Sequence, residues 1–481
     1  MWRGRLGAGL DETALAFISG MEEDRRLVEY DITVNQAHVL MLKKEGIVDK
    51  KSADRIVASL ERARAEHKRG LLLPKYPRFV DVHPIIEQFV IDDLGVDVGG
   101  KMHIAKSRND QVMADIRLYM RDEFLKLVEQ LLALISAMLS LAGKHRETAM
   151  PGYTHTQHAQ VTSFGHYLQS HADVLLNDVA RIMGCYSRMN LSPLGACAFA
   201  GTSVPIDRHY TATLLGFDGI VENATSAVSS RDVLQEAACV VALLMSSLSR
   251  IASDIILWST FEFGMVELSD EMSDTSSAMP QKKNPDPMEA IRGKANEAIC
   301  SCANALSLAR GLVTGYHKDF QEMKRPLWKS MDDARFSVAV MTKALRTLIV
   351  KKRRMLELVL RNNVTAMDLA EYLALNTPIS FREAHYLVGS LVREAMNHGK
   401  GLAAITSGQL TSLARKKLGK NVVIPQETIN RILDPLHSLR SRISAGGPSP
   451  SEVARMIKDR DRTVELLRKD LEIRKKRVKI K

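Results

Sequence analysis

Ser269-Asp270-Glu271-Met272-Ser273-Asp274-Thr275-Ser276-Ser277-Ala278-Met279-Pro280-Gln281-Lys282-Lys283-Asn284-Pro285-Asp286-Pro287-Met288-Glu289 separates two strongly helical stretches. Hydroxyls, ammonium groups, amides and three prolines crowd a segment that cannot itself be helical. Such a loop is suited to closing over an anionic substrate. Its end is well defined. Asp286 fits an N-cap, Pro287 the first helical position, and Glu289 the acid of a capping box, so a long helix is expected from Pro287. The plain structural alternative is a polar inter-helix loop with a good cap.

Outward from this loop, the 481-residue chain is long enough for two or three domains, and 45% hydrophobic with 26% charged residues suits a globular protein. Aromatics make up only 5% while Ala, Leu and Met abound, which favours helices over sheets. The formal charge of +11 owes much to Arg468–Lys481, which reads as a solvated basic tail. Neither zinc-finger spacing nor interleaved basic and aromatic residues point to a nucleic-acid reader. The positive field would still attract an anionic substrate. Cys185, Cys197, Cys239, Cys300 and Cys302 are too few and irregular for a disulfide framework, so reduced thiols in a cytoplasmic protein are expected. Met1-Trp2-Arg3-Gly4-Arg5 opens no signal peptide. Ala237–Trp258 is apolar but carries Arg250 and Asp254, and reads as a buried helix rather than a membrane span.

From the start of the chain, Asp31–Lys44 and Lys51–Lys68 show helical spacing, with Ile56, Leu60 and Ala63 on one face of the second. Residues 92–100 read as a loop and a boundary. Ser107 and Asp110 have capping-box spacing ahead of Val112, Ile116, Met120, Leu127, Leu131 and Leu134, so a helix should start there. Arg108 and Asn109 would lie in its first turn, where the dipole and free N–H groups attract anions and a guanidinium can grip a carboxylate. Ser192–Thr202 is rich in small residues, either a close-packed turn or backbone that approaches a ligand. Arg231 precedes another long helix, and Pro287–Leu312 is helical.

Several of these stretches resemble motifs of one family. Ser276-Ser277-x-Met279-Pro280-x-Lys282-x-Asn284-Pro285 is similar to the signature of the fumarase/aspartase superfamily, and its extension to Asp286 resembles the argininosuccinate lyase branch. So do Asp24-Arg25-Arg26-Leu27, His83-Pro84-Ile85-Ile86-Glu87, Ser107-Arg108-Asn109-Asp110-Gln111-Val112 and Gly152-Tyr153-Thr154-His155. Tyr316–Lys324, Thr365–Leu373, Phe381–His385 and Ser444–Pro450 extend the likeness over nearly the whole chain.

This resemblance implies an all-α fold of three regions: an N-terminal helical domain (1–105), a central long-helix bundle (106–360) carrying the signature loop 270–286, and a C-terminal helical domain with the basic tail (361–481). Four copies would assemble through the long helices into a homotetramer with active sites shared between subunits. The implied reaction is elimination of fumarate from argininosuccinate to give arginine, with neither metal nor organic cofactor. Ser276 would be the base, and Lys282 and Asn284 would stabilise the anionic intermediate. His155, oriented by Glu289, would help protonate the leaving nitrogen. Asp24, Arg108, Asn109, Thr154, Arg231, Tyr316, Gln321 and Lys324 would contact substrate.

The chain departs from the family pattern at Ile104-Ala105-Lys106 (usually Thr-Gly-Arg), at Thr275 (usually Gly) and at His317 (usually Asn). Glycine at 275 would permit a backbone conformation that a β-branched residue resists. These departures motivate two alternatives: a related lyase acting on another N-substituted aspartate, and a non-catalytic, crystallin-like member of the family.

Overall fold

The computed structural model describes residues 9–477. The first five residues, together with Lys479 and Lys481 of the basic tail, lie outside the described residues. The N-terminal helices are α1 (Val28–Lys44), α2 (Lys50–Lys68) and α3 (Val82–Leu94). The central ones are α4 (Arg108–Lys144), α5 (Phe164–Met189), α6 (Asp232–Ser259), α7 (Asp286–Ala309) and α8 (Lys324–Thr347). They are followed by α9 (Ala366–Asn376), α10 (Phe381–Asn397), α11 (Ser407–Leu418), α12 (Gln426–Leu433) and α13 (Pro450–Arg477). The fold is all-α, and the strands among the described residues form short antiparallel pairs.

The apolar spacing of the sequence becomes the core. Phe124, Leu127, Leu131, Leu134, Ile135 and Met138 of α4 pack with Leu168, Leu175, Val179 and Ile182 of α5 and with Leu244, Leu248 and Ile251 of α6, all fully or nearly fully buried. Burying each such side chain contributes about 1.5–3 kcal/mol. The N-terminal residues Leu27, Ile32, Ile56 and Ile85 join this same core, whereas Leu369, Leu373, Leu387, Leu410 and Ile429 form a second one. Helices α6 and α7 run antiparallel, since Gln235 donates to Ala305 O and the Cys239 and Cys302 sulfurs lie 3.2 Å apart.

Three expectations change. The stretch 92–100 is largely helical: α3 continues to Leu94 and a short helix covers Val96–Gly99. Helix α7 begins at Asp286 rather than Pro287, because the Met288 and Glu289 N–H groups bond to Pro285 O, and Asp286 does not cap it with its side chain. The basic tail is, as far as Arg477, a packed helix. Val464 and Leu471 are buried in the bundle core, Arg474 lies over the Tyr186 ring, and Lys475 pairs with Glu129 of α4. The apolar helix α6 buries Ala237, Val241, Leu244, Leu248 and Ile255 within the bundle. By length and composition alone, α4 and α6 would each pass as membrane spans.

Candidate active site

One group of expected site residues converges at one end of the bundle. A capping box starts α4: Asn109 N–H donates to Ser107 Oγ at 3.3 Å, and Ser107 N–H to Asp110 Oδ1 at 3.0 Å. This places Arg108 half-exposed in the first turn, 3.4 Å from Asp81 Oδ2, and lets Asn109 Nδ2 donate to Ala198 O at 3.0 Å. Asp24 ends a short helix (Met21–Asp24) and pairs with Lys324, the first residue of α8, and both are buried. Trp328 Nε1–H donates to Glu23 O at 3.2 Å, fastening the same segment to α8. Gln321 lies against Gly20, which has room for a Cβ at 3.6 Å. Tyr316 is half-buried nearby.

Arg231 is turned inward. It is 3% exposed, donates to Val228 O at 2.7 Å and Ser230 O at 2.9 Å, and stacks over the Phe320 ring at 4.2 Å and Tyr316 at 5.8 Å. Burial lowers its pKa to about 10, partly offset by Tyr316. In this structure Arg231 supports the segment that presents Tyr316 and Gln321.

Residues outside the expected set complete this end. His83 sits between two carboxylates, with Nδ1 3.0 Å from Asp81 Oδ1 and Nε2 3.0 Å from Asp115 Oδ2. Burial opposes its charge, but Asp115 and Asp81 hold the proton and raise its pKa well above 6.5. Burial likewise pushes Asp81 up, yet His83 and Arg108 outweigh it and hold that carboxyl well below its usual range. Asp24, Asp81 and His83, and likewise Asp31, His83 and Asp115, bring ligand-type atoms within 4.8 Å of one another. With both ring nitrogens of His83 facing carboxylates and Lys324 on Asp24, these clusters read as ion-pair networks. Asp24 and His83 lay in motifs legible in the sequence, whereas Asp31, Asp81 and Asp115 gave no such signal. Lys106 is buried and bonds Asn35.

Thr154 and His155 stand elsewhere. Strands β1 (Ala149–Thr154) and β2 (Gln157–Ser163) form a hairpin that the sequence reading missed, with His155 and Thr156 as its two-residue turn. Both turn residues have positive φ (53° and 57°), as a type I′ connection requires. Asn or Gly usually fills such positions, and a β-branched Thr there is strained. Both side chains are exposed at the tip, and no ion pair joins His155 to Glu289 among the described residues.

The signature loop also has a hairpin neck. Strand β3 (Asp274–Thr275) pairs with β4 (Lys283–Asn284), leaving 276–282 as the tip. Ser276 Oγ accepts the N–H groups of Ala278 at 3.3 Å and Met279 at 3.0 Å, an arrangement that favours the deprotonated oxygen. Lys283 is tied to Asp270 at 2.8 Å and Glu267 at 3.2 Å. Lys282 has no carboxylate partner among the described residues and is exposed, as is Glu289. Thr275 lies in the extended neck, where a β-branched residue is at ease.

The long helices hold these groups apart. The 37 residues of α4 measure about 55 Å, with Arg108 and Asn109 at the start and the His155 hairpin just beyond the end. The antiparallel pairing of α6 and α7 likewise sets Glu289 about 30 Å along α6 from Arg231. One copy of the chain therefore does not unite the three groups.

Comparison with known proteins supplies the lineage. Residues 4–299 match a family model described as Lyase, and residues 363–440 one described as Argininosuccinate lyase C-terminal. The chain is 39% identical to an argininosuccinate lyase of Methanosarcina barkeri, covering 98% of this chain and 94% of the relative. It is 40% identical to one of Nitrosopumilus maritimus, covering 99% and 97%. Among solved structures, EDDS lyase in complex with formate is 32% identical with a TM-score of 0.87, covering 94% of this chain and 89% of that one. A class II fumarase of Schistosoma mansoni, 17% identical with a TM-score of 0.71 over 85% of this chain and 90% of that one, shares the fold alone. Matched by family models at both ends and by relatives along nearly its full length, the chain belongs to the argininosuccinate lyase family of the fumarase/aspartase superfamily.

Proposed function

We propose that this protein eliminates fumarate from argininosuccinate and releases arginine. The observation that carries the reading is the Ser276 hydroxyl, set in the loop tip near Lys282, which has no carboxylate partner among the described residues, and already cradled by two backbone donors. Ser276 Oγ takes a proton from the succinyl methylene, the electrons form the carbon–carbon double bond, and the carbon–nitrogen bond breaks. Lys282 and Asn284 balance the charge that develops on the adjacent carboxylate, each well-placed donor contributing about 3 kcal/mol. His155 protonates the departing guanidino nitrogen, and Arg108, Asn109, Thr154, Tyr316 and Gln321 hold the substrate. Asp24, Lys324 and Arg231 shape that surface.

Because the groups sit on separate ends of long helices, the complete site draws on neighbouring copies, and Glu289 of one copy orients His155 of another. Exposed Leu243, Ile299, Leu306 and Phe336 on the bundle helices, each 48–69% exposed, provide apolar surface for a homotetramer. Five free cysteines suit the reducing cytoplasm in which we place the enzyme.

Fumarate release followed by ultraviolet absorbance, from wild type and Ser276→Ala, tests the reading. Turnover of argininosuccinate that collapses in the variant supports it. The likeness to EDDS lyase favours one alternative, a lyase for another N-substituted aspartate, and faster fumarate release from such a compound would replace our substrate. A folded wild type inert towards all of them would leave the non-catalytic reading.

A further inference from the structure

The small-residue stretch Ser192–Thr202 is a built turn whose anchor is a single carboxylate. Gly195 and Cys197 both adopt positive φ (87° and 58°) on either side of Ala196, so the N–H groups of 195 and 197 point the same way and form a concave anion seat, a backbone nest. The anion in that seat belongs to the protein. Asp110 Oδ2 accepts Gly195 N–H at 2.9 Å and Cys197 N–H at 2.8 Å, across 85 and 87 residues of sequence. Its other oxygen caps α4 through Ser107 N–H. A capping box needs only that second contact.

From the far side, Arg208 fastens the same turn by donating to Leu194 O at 3.1 Å and Val221 O at 2.8 Å. A Cβ on Gly195 would come within 2.6 Å of Arg208 Cγ, so only glycine fits between the two anchors. One residue along α4 from Asp110, Asn109 holds Ala198 O of this turn.

We propose that Asp110 is a positioning residue of the active site: by occupying the nest at Gly195–Cys197 it seats the 193–201 turn on the head of α4, fixing Asn109 and its neighbour Arg108 for the substrate's carboxylates. The inference rests on the functional reading above. Asp110 is fully buried, and the charged or titratable groups facing it are Lys106, Arg208 and Cys197. Burial raises its pKa to about 6 against the three backbone donors. Three N–H donors converging on its two oxygens favour the carboxylate form.

Asp110→Asn tests this, because an amide cannot satisfy Ser107 on one side and both nest donors on the other. The expected result is a KM for argininosuccinate raised about tenfold with kcat within about threefold, the pattern of lost uniform binding. Amide exchange of the 193–201 peptide should also be at least tenfold faster. Adding Asn109→Ala to Asp110→Asn should raise KM by clearly less than the product of the two separate rises, since Asp110 acts in part through Asn109. Gly195→Ala unseats the turn from the Arg208 side with Asp110 intact and should reproduce the KM rise, which serves if Asp110→Asn does not fold. Unchanged exchange in Asp110→Asn, or faster exchange with unchanged KM in either variant, overturns the proposal. Amide exchange needs no turnover, so an enzyme inert towards argininosuccinate would sink the functional reading while the seating of the turn was still decided.

Discussion

Asp24 and Lys324, 300 residues apart in sequence, meet as a fully buried ion pair. Family resemblance assigns both to the substrate, yet each is the other's partner here, and the second oxygen of Asp24 has no hydrogen-bond donor among the described residues. The pair binds the N-terminal segment to α8, and with it Gly20 to Gln321. Asp24→Asn would strand an ammonium in the interior, at a cost of about 3–5 kcal/mol. Urea unfolding should show that loss, and Asp24→Asn/Lys324→Met should recover part of it. A single variant as stable as wild type would mean that the pair is open in solution.

Ser276→Ala should lower kcat by about 10²–10⁴-fold, the span of a positioned general base. The grip residues lie at one end of the long helices and the base and the hairpin at the other, and no ion pair joins His155 to Glu289 within one copy among the described residues, so inactive variants should complement. Ser276→Ala subunits unfolded and refolded together with His155→Asn subunits should regain about a quarter of wild-type activity if copies mix at random in a symmetric tetramer. No recovery in verified mixed tetramers would place Ser276 and His155 of one copy in the same site.

Ala105, not Thr275, is the departure from glycine that strains the backbone. Ala105 has φ 57°, in the left-handed region, whereas Thr275 is extended. Ala105→Gly should stabilise the chain by about 1 kcal/mol, seen as a raised thermal midpoint. Thr275→Gly, which loosens a strand, should lower the midpoint without raising activity.

The sign of one titration can be worked out for His38. Its Nε2 lies 2.8 Å from Ile104 O, and Nδ1 is buried without a partner among the described residues. Burial, aided by Lys106, lowers its pKa from 6.5 to about 3. A depressed folded pKa means that its contribution is present above pH 6.5 and drains away as pH falls towards 3. Its share of the slope is at most about 1.4 kcal/mol per pH unit. His38→Gln should therefore show a flatter fall of stability between pH 6.5 and 4. A parallel fall in both proteins would mean that His38 is charged in the folded state.

The contrast between Ala105 and Thr275 shows what the sequence conveyed. Helical periodicity and the capping box at Ser107 announced α4 and its head, because those signals are local. The hairpin at 149–163 passed unread, since its turn uses His and Thr where Asn-Gly is the usual sign. The motif residues were visible as residue types, and their families of neighbours were not. Nothing in Asp24 or Lys324 says that they pair, nothing in Arg231 says that it faces inward, and Asp110 looked only like a cap. Each of those facts depends on contacts between segments tens to hundreds of residues apart.

Helix α4 acts as a ruler, and rulers tolerate few edits. Deleting one residue within its 37 would turn everything beyond the cut by about 100° and shift it by about 1.5 Å. The buried stripe and the head that carries Arg108 would then fall out of phase. Removing seven residues would nearly preserve the phase but shorten the span by about 10 Å, so the chemistry would fail while the fold survived. Length variation in this lineage should accordingly gather in the C-terminal helices around their separate core, and leave the central span untouched.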